Sequence, residues 1–150
     1  MKNLIRACVI CAALLPPTLA QALTDAECVA EWQKADVKKT GVLSEAEANR
    51  YFAALRVAGK PVADGKMTEA QFIENCKAGV FTMAKVEAGA PLAGSNSFTE
   101  TQAMDRALAA GFTNVTALKK DDKGVWRGTA SDGSKTVNIA IDYKGNVVVN

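Results

Sequence analysis

Residues 41–47 read Gly-Val-Leu-Ser-Glu-Ala-Glu, and residues 65–71 repeat this pattern as Gly-Lys-Met-Thr-Glu-Ala-Gln. In each copy a glycine allows a sharp turn, and an apolar residue two positions later can join the core. A hydroxyl side chain then stands three residues before an acid or amide, which is a capping box that satisfies free amides at a helix start. The repeat therefore predicts two turns that each lead into a helix.

A third capping box, Thr24 to Glu27, precedes the repeat, and helix-spaced apolar residues follow all three boxes. These residues are Cys28, Val29, Trp32 and Ala35 after the first box, Ala48, Tyr51, Phe52 and Leu55 after the second, and Phe72, Ile73 and Cys76 after the third. This spacing predicts three amphipathic helices within residues 23–81.

The segment from Asp36 to Glu47 resembles the calcium-binding loop of an EF-hand. That motif has a glycine at position 6, an aliphatic residue at position 8 and a bidentate acid at position 12, here Gly41, Leu43 and Glu47. The resemblance implies a three-helix EF-hand-like module. Its candidate metal ligands are Asp36, Thr40, Ser44 and Glu47.

Both loops depart from the calcium motif at ligand positions. Lys38 places a cationic donor where the metal needs an acceptor, and Thr40 replaces an acid or amide. The second loop, residues 60–71, keeps Asp64 but has Gln71 in place of the closing acid. We therefore expect no cofactor and weak calcium binding at most, with these residues serving as turns, caps and core. A calcium-binding protein of the periplasm is the alternative.

Composition changes after the third helix. Residues 82–96 are small, with glycines and a proline but no periodicity, and predict a linker. A capping box at Ser97 predicts a helix over 97–110. Alternating segments then predict an antiparallel meander with strands at Thr113–Lys120, Val125–Ala130, Thr136–Tyr143 and Val147–Val149. The expected fold class is α+β, with the second domain at 97–150.

The run from Phe98 to Val149 resembles the PepSY-like domains of exported bacterial proteins. The resemblance rests on a helix followed by a meander, an aromatic residue in the second strand, Trp126, and a last hairpin that reads Asp-Tyr-Lys-Gly over 142–145. It implies a small module that binds or regulates other proteins, including proteases. An EF-hand-like segment joined to such a domain is also similar to a group of small periplasmic proteins.

The N-terminus has the three parts of a secretory signal. Lys2 and Arg6 precede an apolar run, Ala7–Leu15, and residues 20–22 supply a small-x-small cleavage pattern. We expect residues 1–22 to be removed and the protein to be periplasmic or secreted, with a retained anchor as the alternative. In an oxidising compartment the remaining pair, Cys28 and Cys76, predicts a disulfide. Two buried thiols are the alternative.

Charge and composition exclude several classes of function. The chain has no histidine, which excludes Ser/His/Asp and Cys/His catalysis and imidazole zinc sites. Its 18 basic and 16 acidic residues balance once the two basic residues of the signal are removed. We therefore expect neither a nucleic acid nor a membrane partner.

The expected function is non-enzymatic binding of a protein or peptide by a monomer. A glycosidase built on paired carboxylates is the remaining enzymatic alternative. Arg127, on a strand face turned to solvent, is a candidate contact residue. Val147, Val148 and Val149 are candidates because a short last strand at the sheet edge could pair with an added strand; the alternative is that they only complete the core.

Overall fold

The computed structural model describes residues 23–60, 62–82, 86–87 and 89–149. The predicted signal peptide, residues 1–22, lies outside them. Within the described residues the fold is α+β, as the sequence predicts. The helices are α1 (Asp25–Ala35), α2 (Glu45–Val57), α3 (Glu69–Lys77) and α4 (Glu100–Ala109), with a 3₁₀ turn at Ala63–Gly65, and the strands are β1 (Val42–Ser44), β2 (Lys66–Thr68), β3 (Val86–Glu87), β4 (Lys119–Lys120), β5 (Trp126–Asp132), β6 (Lys135–Ile141) and β7 (Val147–Val149).

Capping boxes begin the first three helices where the sequence predicts them. Thr24, Ser44 and Thr68 are the N-cap residues of α1, α2 and α3, and the side chain three residues later returns to each cap. Each box satisfies amides that have no partner inside the helix. Local chemistry therefore sets these three boundaries.

The start of α4 differs from the prediction. The cap is Thr99, whose hydroxyl accepts a hydrogen bond from the Gln102 amide at 3.2 Å, and Ser97 lies outside the helix. The reason is a turn just before it, in which Asn96 Oδ1 accepts a hydrogen bond from the Phe98 amide at 3.0 Å. This turn holds the backbone out of helical geometry until Thr99.

A disulfide joins the first and third helices, as predicted. Cys28 in α1 and Cys76 in α3 are bonded, and their side chains are almost fully buried. Trp32 and Phe72 pack beside the bond with ring centroids 5.4 Å apart. The loop that it closes spans 48 residues, so the chain-entropy treatment gives it about 4 kcal/mol.

The two repeated turns pair with each other through a small antiparallel sheet. Strands β1 and β2 place Leu43 opposite Met67, and these side chains are 1% and 0% exposed. They fill the core between the turns, as the sequence predicts.

The larger sheet has the strand order β3-β7-β6-β5-β4. Strand β3 pairs with β7 in parallel, and the other neighbours are antiparallel. The predicted edge position of Val147–Val149 is therefore wrong, because β7 lies between β6 and β3. Strand β3, which is only two residues long, is not predicted from the sequence.

The first predicted strand is mostly irregular. Lys119–Lys120 forms a strand, β4, and Thr113 forms an isolated bridge with Ser131. Between them, a side chain bonds to the backbone of β5. The Thr116 hydroxyl accepts the Thr129 amide hydrogen at 2.9 Å. Leu118 packs over Gly128, where a Cβ atom would lie 2.7 Å from Leu118 Cδ2. A glycine is needed here for this close approach.

Helix α4 covers one face of the larger sheet. Ala103 and Ala107 form a core with Ile139 and Ile141, and Trp126 packs against this core. Met104 also packs against this core, whereas Leu108, on the same helix, packs against the helical core.

The other face of the sheet, which carries Arg127 and which the sequence predicts to be turned to solvent, is partly covered. Val125, Ala140 and Val148 form a second buried cluster there. Asp142, on the same face, is 1% exposed. The expectation was wrong because the 89–96 segment folds back to this region: the Leu92 amide donates to Asp142 Oδ2 at 3.3 Å.

The segment predicted as a linker is thus built into the sheet. It contributes β3, and the Gly94 amide donates to the Lys123 carbonyl at 2.9 Å. The contact is so close that a Cβ atom on Gly124 would lie 1.9 Å from the Gly94 carbonyl oxygen. Gly124 has a φ of +75°, so both its backbone angle and this space require glycine.

The helical part and the sheet part contact each other through α2 and α4. Arg56 on α2 forms three hydrogen bonds to Asp105 on α4: Nε donates to both carboxylate oxygens at 3.0 Å, and Nη2 donates to Oδ1 at 2.7 Å. Asp105 is 7% exposed, and Glu45 also contacts the guanidinium. Among the described residues, no helix has the length and apolar character to cross a membrane.

Candidate functional site

Asp36 organises the turn that leads from α1 into β1. Its Oδ1 accepts hydrogen bonds from the Thr40 amide at 2.9 Å and hydroxyl at 3.3 Å, and its Oδ2 accepts one from the Gly41 amide at 2.8 Å. Burial opposes ionisation, but these hydrogen bonds lower the pKa of Asp36 below its ordinary value. Both carboxylate oxygens therefore serve the turn itself.

The closing position of the same loop is occupied by an ion pair. Lys38 Nζ lies 2.5 Å from Glu47 Oε1, and the Ser44 hydroxyl donates to Glu47 Oε2 at 2.7 Å. The hydrogen bond from Lys38, followed by those from Ser44, lowers the pKa of Glu47 to about 2. The ammonium group thus neutralises the carboxylate that would close a calcium shell.

The four predicted metal ligands form two hydrogen-bonded pairs, Thr40 with Asp36 and Ser44 with Glu47. In the part of the chain that the structure describes, no three His, Cys, Asp or Glu side chains are grouped to hold a metal. Calcium prefers several oxygen ligands and no cationic neighbour. The residues present therefore do not fit a calcium site, and weak or absent binding stays a prediction for titration.

The second loop is also built from turn and cap interactions. Asp64 lies in the 3₁₀ turn with a φ of +61°, and Gly65 follows at +59°. Gln71 accepts a hydrogen bond from the Thr68 amide at 3.0 Å, which places it in the helix cap. This loop pairs with the first but offers no closing acid.

The predicted contact residue Arg127 lies on an uncovered part of the sheet face. Together with Lys119, Thr129 and Asn138, it lines a shallow cavity of about 550 Å³. Lys119 and Arg127 are opposite each other on β4 and β5, so their side chains share this face. Arg127 Nε donates to Asp121 Oδ2 at 2.7 Å, which lowers the pKa of Asp121. Among the described residues, Lys119 forms no ion pair.

The three predicted valines are not among the residues that line this cavity. Val147 and Val148 are 1% and 2% exposed, and Val149 is half-buried. Since β7 has strands on both sides, its backbone cannot accept an added strand without displacing β3. These residues pack in the core, which is the alternative to strand addition given above for Val147–Val149.

Asp142 holds two segments of the chain together, although the sequence predicts only that it belongs to the last hairpin. Its Oδ1 accepts hydrogen bonds from the Lys144 and Asn146 amides at 2.9 and 3.0 Å, and its Oδ2 accepts from the Asn146 side chain at 2.9 Å. With the Leu92 amide, the carboxylate joins the last turn to the segment before α4. The Asp-x-x-Gly pattern signalled the turn, but nothing local signalled the partner 50 residues away.

No protein-family model, curated protein or solved structure matches this chain. The EF-hand-like and PepSY-like resemblances therefore remain predictions from sequence, and the function must be argued from the residues themselves.

Proposed function

We propose that the protein is an exported, non-enzymatic binding protein that holds an extended, acidic polypeptide segment on the uncovered part of its sheet. The observation that carries this proposal is the cross-strand pair of cations, Lys119 and Arg127, at the wall of the open cavity. The signal-like leader supports export, and the PepSY-like features favour a polypeptide ligand, with protease regulation as one form of this function.

Two cations that face each other across a strand pair repel each other, because their Cβ atoms are about 5 Å apart. Asp121 compensates the charge of Arg127 through its carboxylate. Lys119 lies two residues before Asp121 but is in no ion pair among the described residues. A carboxylate supplied by a ligand would remove this repulsion and gain a charge-assisted hydrogen bond.

The floor of the cavity suits a polypeptide backbone. Asn138 on β6 lies opposite Thr129 on β5, and the Asn138 side-chain amide can both donate and accept hydrogen bonds. The Thr129 hydroxyl donates to Thr116 Oγ1 at 3.3 Å, so toward a ligand it can only accept. Addition of a strand to β4 is less favourable, since Glu100 Oε1 already accepts the Leu118 amide hydrogen at 3.0 Å. We therefore place the ligand across the face rather than along the edge.

Calorimetry with a short blocked peptide that alternates aspartate and threonine tests this proposal, with the asparagine counterpart as the uncharged probe. Lys119→Gln should weaken binding of the acidic peptide about tenfold, because Lys119 is the cation of the pair without a carboxylate partner and its charge-assisted contact with the ligand is lost. Lys66→Gln, an exposed lysine on β2, is the matched control and should leave the affinity unchanged.

Equal affinities for the two peptides, or a Lys119→Gln protein that binds as well as the wild type, would refute the site. The mass of the secreted protein tests export separately, since cleavage after Ala22 leaves Leu23 as the first residue.

A further inference from the structure

The helical half contains a second cavity that is separate from the sheet. It has a volume of about 350 Å³, and its lining includes Leu23, Glu31, Arg50, Tyr51, Phe72 and Phe81. Small-molecule sites are concave, mostly apolar and about 300–1,000 Å³ in volume, with a few polar groups that fix orientation. This cavity has that size and that composition.

The aromatic walls of the cavity are held in place before any ligand arrives. The ring centroids of Tyr51 and Phe72 are 4.8 Å apart, those of Tyr51 and Phe81 are 5.0 Å apart, and those of Phe72 and Phe81 are 4.8 Å apart. Cys76, which is bonded to Cys28, also lines the cavity. A rigid wall loses little conformational entropy when a ligand binds, which favours affinity.

The charges at the rim favour an anion. Arg50 Nη2 donates to the Phe81 carbonyl at 2.9 Å, and the guanidinium lies 4.9 Å from the Tyr51 ring centroid. Among the described residues, Arg50 forms no ion pair, so most of its five donors are available to a ligand. The group is therefore both oriented and positively charged.

The negative charge of Glu31, the acidic residue of the cavity lining, is already compensated by Lys34. Lys34 Nζ lies 2.9 Å from Glu31 Oε1, and the Tyr51 hydroxyl donates to Oε2 at 3.4 Å. The Lys34 hydrogen bond lowers the pKa of Glu31, and burial raises the pKa of Tyr51, so the phenol stays a neutral donor. The net charge presented beside the aromatic walls is that of Arg50.

We propose that this cavity binds a small carboxylic acid with an aromatic or branched apolar body. The carboxylate would pair with the guanidinium of Arg50, and the apolar body would pack among Tyr51, Phe72 and Phe81. This site uses none of the residues of the proposed polypeptide site, so either proposal can fail without the other.

The test is a titration of the purified, disulfide-bonded protein with 3-phenylpropionate and with its uncharged amide, followed by the NMR signals of the aromatic rings. We expect the carboxylate to shift the signals of Tyr51, Phe72 and Phe81 and to bind more tightly than the amide. Arg50→Gln should weaken carboxylate binding about ten- to hundredfold and leave amide binding nearly unchanged, because only the charged contact is lost.

Two further variants make the result decisive. Arg50→Lys keeps the charge and should retain part of the preference for the carboxylate, so it guards against a loss that comes from misfolding. Arg127→Gln, on the distant sheet, should leave binding of 3-phenylpropionate unchanged. The proposal is overturned if neither probe shifts the ring signals, if both bind equally, or if the signals move only with protein concentration, which would indicate a second copy of the chain in the cavity.

Discussion

Replacing Asp142 with asparagine is the most direct perturbation of the link between the last turn and the segment before α4. The carboxylate accepts four hydrogen bonds, three from backbone amides and one from the Asn146 side chain, and is 1% exposed. An asparagine side chain keeps one acceptor oxygen, but its NH₂ group would face some of these N–H donors and cannot accept hydrogen bonds from them. Hydrogen bonds to a charged acceptor contribute about 1.5–3 kcal/mol each, and unpaired buried donors cost a similar amount.

Because part of this turn can reach water, the loss in unfolding free energy should be about 2–4 kcal/mol. For a protein of this size that corresponds to a fall of about 10 °C in Tm. Urea unfolding and calorimetry measure both quantities. Asp132→Asn, which changes an exposed acid in the preceding hairpin, is the matched control and should be within about 0.5 kcal/mol of the wild type.

The pH dependence gives a second readout of the same interaction. Burial opposes ionisation of Asp142, but its hydrogen bonds, led by those from Asn146, lower its pKa below the ordinary 3.8. The stabilisation by the carboxylate is therefore fully present above the ordinary value and is lost as the pH falls toward the folded-state pKa. The difference between wild type and Asp142→Asn should be constant near neutrality and shrink below about pH 4.

Amide hydrogen exchange then locates the effect. The Leu92 and Lys144 amides should exchange faster in Asp142→Asn, whereas the amides of α1 should not change. An equally stable variant with unchanged exchange at Leu92 would refute the claim that this carboxylate holds the segment in place.

Three other changes test separate parts of the fold. Lys38→Ala should raise the pKa of Glu47 from about 2 toward the ordinary 4.5, measured by NMR titration, since the leading hydrogen bond to that carboxylate is lost; a pKa that stays near 2 would contradict the ion pair. Replacing Cys28 and Cys76 together with alanine should lower the unfolding free energy by about 4 kcal/mol in urea, because the bond closes a loop of 48 residues. Gly128→Ala should cost about 1–3 kcal/mol, since its new methyl group would lie 2.7 Å from a buried leucine methyl carbon; an unchanged Tm would mean that the neighbouring segment moves without cost.

Local chemistry explains what the sequence could predict. The boxes at Thr24, Ser44 and Thr68 act within four residues, so helix starts can be recognised without knowing the rest of the fold. The disulfide could be predicted because only two cysteines remain once the leader is set aside. The hairpin of β5 and β6 is likewise a local structure with a glycine turn.

Long-range contacts explain the features of the fold that could not be predicted from the sequence. Strand β3 is two residues long and pairs with the end of the chain, so neither periodicity nor turn residues mark it. Ala140 fits an exposed strand position equally well, and its burial depends on the chain folding back from Leu92. At the candidate site, the sequence identified Lys38 as an obstacle to metal binding, but only the structure pairs it with Glu47.

The parallel pairing of β3 with β7 has a consequence for the order in which the protein can assemble. Helices α1 to α3 and their disulfide lie within residues 25–77, and apart from Val80, Phe81, Leu108 and Ala109 their core comes from the same segment. Most of this core can therefore form while the remainder of the chain is still being synthesised or translocated. Strand β3, although it follows directly, has to wait for its partners Val147 and Val148, which lie far along the chain. Closing such a long loop is entropically costly and slow. The middle of the chain is therefore the last part to become protected, and a truncation at the C-terminus would expose it to proteases many residues away from the cut.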